Sequence, residues 1–147
     1  MDTISILKAC RRQGFFLHGS PCEGIEELEP RQADDTSGDP VKNLCGVYAT
    51  DDVRIAIAMG LFHRICDGVG GFSVSGKKFS IRSQSSVLSP GWVYVLPSKT
   101  FQRFETREGS EEIVSLVSVR PIQKIQVVPN LLDKLGCVHN IPVRYYK

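Results

Sequence analysis

A change of period near Gly68-Val69-Gly70-Gly71 constrains this chain more than any other feature. Beyond it, residues 72–75, 79–82, 92–96, 101–106, 113–119 and 125–128 are short runs rich in Val, Ile and aromatics, punctuated by Gly, Ser and Pro. Such runs read as strands. Ahead of it, residues 2–12 interleave Ile4, Ile6, Leu7 and Cys10 with Lys8, Arg11 and Arg12, the pattern of a short amphipathic helix. Residues 51–66 are apolar around most of a helical circumference, with polar side chains mainly at Arg54, His63 and Arg64. That helix must therefore be buried. Thr50 is its expected N-cap, and Asp51 and Asp52 favour its positive end. Helices early and strands late give an α+β class, a small split β-sandwich of mainly antiparallel strands with a few helices.

The remaining segments fill in around this frame. Phe15 to His18 reads as a buried first strand that turns into a polar corner at Gly19-Ser20, and a second short strand is expected over 25–28. From 29 to 43 the composition shifts to Pro, Asp, Gly, Ser and Thr, a surface loop long enough to suggest a functional lid. Residues 131–135 suit a helical turn or two, residues 141–146 a final strand, and Trp92 a core anchor. At 147 residues and 41% hydrophobic, the chain is expected to form one domain, 1–147. A chain of this length buries roughly 68–70% of its unfolded surface without needing staples.

A net charge of +2 gives no whole-molecule argument for a nucleic-acid partner. The distribution is less even: residues 1–50 hold eight acids and five bases, whereas 68–104 hold Lys77, Lys78, Arg82, Lys99 and Arg103 and no acid. That stretch could contact a polyanion, or it is a set of solvated strand-edge charges. Five cysteines (10, 22, 45, 66 and 137) include no C-x-x-C pair. With no secretory apolar segment and no run long enough to span a bilayer, the expectation is a cytoplasmic protein with reduced thiols and no membrane partner. His63 and Cys66 stand one helical turn apart, but lack a second ligand pair, so no metal site is expected.

Three separated motifs carry chemistry: Leu17-His18-Gly19-Ser20; Gly46-Val47-Tyr48-Ala49-Thr50 running into a helix; and Ser110-Glu111-Glu112-Ile113-Val114 entering a late strand. In order, spacing and context they resemble the ADP-ribosyltransferase superfamily, and more closely its His-Tyr-Glu branch, which includes diphtheria toxin and the poly(ADP-ribose) polymerases. The resemblance implies a split β-sandwich and NAD as co-substrate, with no metal. His18 would hydrogen-bond the adenosine ribose, and Gly19 would let the backbone approach the nicotinamide amide. Tyr48 would lie against the cationic nicotinamide ring, an attraction of about 0.5–2 kcal/mol that is lost once neutral nicotinamide leaves. Ser20 would add a hydroxyl contact, and Arg31, in the loop, would reach a phosphate.

Cleavage of the nicotinamide–ribose bond develops an oxocarbenium ion, so a carboxylate accepting from the ribose 2′-OH both orients the sugar and stabilises charge. Alignment on Glu-x-Ile-Val puts Glu111 in that role. Glu112 is the alternative, because neighbouring strand residues face opposite sides. Members of the polymerase type carry a second aromatic in the helix after the tyrosine, whereas here Ala56-Ile57-Ala58-Met59 precedes the first aromatic, Phe62. The expected activity is mono-ADP-ribosyl transfer to a protein or nucleic-acid acceptor, as in a toxin or effector, with water as another acceptor. Two further readings are a catalytically inactive NAD- or ADP-ribose-binding module and an RNA 2′-phosphotransferase-like enzyme. An α+β domain unrelated to the family is the plainest.

Overall fold

In a computed structural model, residues 2–33, 38–61, 70–75, 78–83 and 88–138 are described, those of 70–75 and 78–83 by backbone alone. The elements are α1 (Thr3–Arg12), β1 (Phe16–Ser20), β2 (Arg31–Gln32), a 3-10 helix (Pro40–Asn43), β3 (Cys45–Ala49), α2 (Val53–Leu61), β4 (Gly70–Ser75), β5 (Lys78–Ser83), β6 (Gly91–Leu96), β7 (Phe101–Glu105), β8 (Glu111–Ser115), β9 (Gln123–Val127), α3 (Asn130–Lys134) and β10 (Cys137–Val138). They form three sheets, β1-β6-β9, β2-β3-β8-β7 and β10-β5-β4, all antiparallel except for the β10–β5 pair. The fold is α+β with antiparallel sheets and few helices.

Alternation along β1 and β6 divides the core in two. Leu17, Val93 and Val95 face the helices and join Leu7, Ala56, Ile57, Leu61 and Leu132 in one apolar cluster. Tyr94 and Leu96, on the opposite face, join Val47 and Val119 in a second cluster between the β1-β6-β9 and β2-β3-β8-β7 sheets. Trp92 is half-buried rather than a deep anchor, and carries Lys124 Nζ 4.9 Å above its ring.

Helix α2 sits on the β1–β6 ladder almost backbone to backbone. A Cβ at Gly19 would meet the Ala56 carbonyl oxygen at 2.1 Å, and one at Gly91 would meet the Gly60 carbonyl oxygen at 1.7 Å. The apolar circumference expected for this helix is present, with Val53, Ala56, Ile57, Ala58, Gly60 and Leu61 all buried. Its cap differs from expectation. Asp52 Oδ1 accepts from Arg54 N at 2.9 Å, while Thr50 Oγ1 accepts from Asp52 N at 3.0 Å. The helix begins at Val53, so Asp52 caps it through the Arg54 amide and Thr50 shapes the turn before it.

Other boundaries move too. Residues 25–28 contribute an isolated bridge between Leu28 and Val119 instead of a strand. His18-Gly19-Ser20 lies within β1 and is not a corner. Residues 29–43 are not structureless, because they contain β2 and the 3-10 helix, begun by Asp39 as cap and Pro40 in its first turn. The strand expected over 141–146, together with Phe62, His63 and Cys66, lies outside the described residues. No helix among the described residues is long and apolar enough to cross a membrane.

Candidate active site

The site follows from where β1 and β3 part. Leu17 and Thr50 exchange main-chain hydrogen bonds at 3.0 and 2.8 Å, and this isolated bridge is where the first strand touches the second sheet. In an antiparallel ladder, main-chain groups of alternate residues point to the same edge. The N–H and C=O of Gly19 therefore aim, like those of Leu17, away from β6 and into the gap between the sheets. Across that gap His18 Nδ1 lies 2.8 Å from the Tyr48 carbonyl oxygen.

That contact fixes the chemistry of His18. A carbonyl only accepts, so Nδ1 carries the hydrogen and Nε2 presents a lone pair. Burial lowers the imidazole pKa, with the Tyr48 carbonyl pulling the other way. The ring is thus a neutral acceptor, suited to a hydroxyl donor.

A cleft of about 500 Å³ opens at this point, lined by residues that include His18, Lys42, Tyr48, Met59, Glu111 and Glu112. A neighbouring lobe of about 560 Å³ shares His18, Ala33 and Tyr48, and continues along Ser20, the 22–29 segment and Arg31. His18, Tyr48, Glu111 and Glu112, brought from three distant stretches of chain, therefore border one cleft.

Register separates the two glutamates. Tyr48 is paired with Val114 and Ala49 with Ile113. Glu112 consequently shares a sheet face with Tyr48, whereas Glu111 shares the opposite face with Ala49 and Arg103. Glu111 is exposed and ion-paired at 3.2 Å to Arg103 Nη1, which holds Asp51 Oδ2 at the same distance. Glu112 is half-buried.

The Tyr48 hydroxyl does not point into open space. It accepts from Leu44 N at 2.9 Å and lies 3.0 Å from the Val41 carbonyl, fastening the 3-10 segment and leaving the ring as a cleft wall. Asp39 fastens the same segment. Its carboxylate is buried, accepts from Val41 N at 3.0 Å and reaches across to Arg107 N at 2.7 Å. The Arg107 amide chiefly holds this carboxyl below the usual range. In the neighbouring lobe Tyr94, almost fully buried, donates to the Cys22 carbonyl at 2.6 Å and accepts from Ile25 N at 3.2 Å.

The other expected site residues are placed as follows. Gly19 is buried, and the α2 backbone alone accounts for its missing side chain. Ser20 Oγ accepts from Cys22 N at 3.1 Å, so it shapes the turn and borders the neighbouring lobe. Arg31 is exposed on β2 and lines the neighbouring lobe. In the basic stretch, Arg103 is already engaged by two carboxylates and Lys99 is exposed. Lys78 and Arg82 lie on β5, and Lys77 is outside the described residues.

Sequence reasoning missed two kinds of lining residue. Ile55 and Met59 come from α2 and line the cleft, in the helix whose lack of an aromatic departs from the family pattern. Lys42 is the lone base between Arg31 and Tyr48, a signal the sequence does carry. Among the described residues, no three or more His, Cys, Asp or Glu side chains are arranged to hold a metal ion. Compared with known proteins, the chain matches no family model, no curated protein and no solved structure.

Proposed function

We propose that this chain is an ADP-ribosyltransferase-like enzyme that cleaves NAD at the nicotinamide–ribose bond and transfers ADP-ribose to a macromolecular acceptor. The observation that carries the reading is the meeting of His18, Tyr48 and Glu112 on one cleft at the parting of β1 and β3.

Each group suits a part of the reaction. The Nε2 lone pair of His18 accepts from an adenosine-ribose hydroxyl. The open edge of β1 at Gly19 offers one N–H and one C=O, the complement of a carboxamide. The nicotinamide ring lies between the Tyr48 face and the side chains of Ile55 and Met59, a softer wall than a second aromatic; methionine sulfur makes favourable contacts with aromatic rings. Glu112 is the carboxylate, because it stands on the Tyr48 face of the sheet and borders the cleft. It accepts from the 2′-OH of the nicotinamide ribose and stabilises positive charge developing at C1′. As the C1′–N bond breaks, its electron pair leaves with the nicotinamide, whose ring becomes neutral and loses its cation–π attraction to Tyr48. An acceptor nucleophile then bonds to C1′ and sheds its proton to solvent.

Nicotinamide release from NAD tests this directly. Glu112→Gln is expected to lower the rate about 100-fold or more, the scale of losing one preorganised electrostatic group. Glu111→Gln is expected to stay within a few-fold of wild type. The reverse order would move the carboxylate role to Glu111. Tight NAD binding without nicotinamide release by the wild type would make the chain a binding module instead.

A further inference from the structure

Charge in the cleft is unbalanced in an informative way. The lobe that holds Tyr48 and Glu112 is lined by three carboxylates, Asp51, Glu111 and Glu112, and by one cation, Lys42, among the described residues. His18 is neutral there, and Arg103, just outside, is engaged by Asp51 and Glu111. Arg31, the other cation of the cleft, borders the neighbouring lobe. A dinucleotide brings two phosphate charges to this space, so a fixed cation is needed to offset the acidic lining.

Lys42 is built for that task. Its main chain is clamped on both sides: Lys42 N donates to the Asp39 carbonyl at 3.1 Å, Val41 N to Asp39 Oδ1 at 3.0 Å and Asn43 Nδ2 to the Asp39 carbonyl at 3.1 Å. Its side chain is only 20% exposed, whereas its partner Glu108, 3.5 Å away, is 73% exposed. A long pair to a solvated carboxylate is weakly held. The fold positions the Lys42 main chain, and its half-buried side chain carries an ammonium that feels the Asp39 carboxylate and has an easily exchanged partner in Glu108.

We propose that Lys42 is the diphosphate-binding residue of the cleft, exchanging Glu108 for a phosphate oxygen when a nucleoside diphosphate or dinucleotide binds. This rests on reading the cleft as a nucleotide site, but not on cleavage of the nicotinamide–ribose bond. Glu108 lies in the turn just ahead of β8, so the exchange ties phosphate binding to the strand that carries Glu112.

Calorimetric titration of ADP, and separately of adenosine, into the full chain and its variants tests the assignment. Lys42→Met is expected to weaken ADP about tenfold or more and to leave adenosine unchanged, the latter serving as the folding control. Lys42→Arg is expected to retain most of the ADP affinity. Glu108→Gln, which removes the competing carboxylate, is expected to tighten ADP about two- to threefold. Equal ADP affinity in wild type and Lys42→Met would overturn the proposal, as would equal losses for ADP and adenosine or no ADP binding by the wild type. Lys42-dependent ADP binding with no nicotinamide release would sink the NAD-cleavage reading and leave the anion site standing.

Discussion

On one side of the cleft, His18, Tyr48 and Glu112 stand on β1, β3 and β8, whose main chains are locked in antiparallel ladders and, at Gly19, pressed onto α2. On the other side, Lys42 lines the cleft from residues 38–44, which are held by the Tyr48 hydroxyl and the Asp39 carboxylate and tied to the 106–110 turn by Asp39 and the Lys42–Glu108 pair. The first wall owes its shape to close packing, which tolerates almost no added volume. The second owes its shape to a handful of hydrogen bonds, each contributing about 1 kcal/mol. The strand wall is thus suited to holding reacting groups still, and the loop wall to yielding locally while a ligand enters.

Gly19→Ala is the most severe way to break this contrast. The new methyl would be driven into the α2 backbone, with an expected loss of about 3 kcal/mol in urea unfolding. A variant as stable as wild type would show that α2 slides freely, and the strand wall would lose its claim to rigidity.

Tyr48→Phe should act on the loop wall alone. Removing the hydroxyl frees Leu44 N and the Val41 carbonyl, an expected local loss of about 1 kcal/mol. Hydrogen exchange at residues 41–44 should quicken while the global unfolding midpoint barely moves. A global loss matching that of Gly19→Ala would mean that the two walls are one cooperative unit.

The smallest expected effect comes from His18, where the walls meet. Its folded pKa is lowered below 6.5 by burial, so the unfolded chain takes up the proton first as the pH falls. Its contribution to stability is complete above about pH 6.5 and declines as acid is added below that value. The protonated ring would also lose the Nε2 lone pair. His18→Gln should flatten this part of the stability–pH curve, and an unchanged slope would remove His18 from the account.

The sequence made much of the strand wall readable and little of the loop wall, for a physical reason. Strands β6, β7 and β9 carry Val, Ile and aromatics in short runs set off by Pro, Gly and Ser, so residues near Trp92, Phe101 and Ile125 announced themselves. The helix read over residues 2–12 is α1, which begins at Thr3 with Asp2 as its cap. The order of His18, Tyr48 and Glu112 along the chain was visible, and so was the pair of candidate carboxylates. Which glutamate shares the Tyr48 face depends on Tyr48 pairing with Val114, and register between strands more than sixty residues apart is not a local property. The loop wall lacked periodicity altogether. Asp39-Pro40, a good start signal for a helical turn, sat in a stretch whose Gly, Ser and Asp content spelled loop. Asp39's grip on Arg107 spans 68 residues and has no local signature.

One partition serves both lobes of the cleft, since His18 and Tyr48 border each of them. Two small fragments, one on either side of that partition, would therefore occupy the protein together, while either alone would obstruct a molecule long enough to span both. Joining such a pair by a linker matched to the gap would raise avidity through effective concentration, without any new contact.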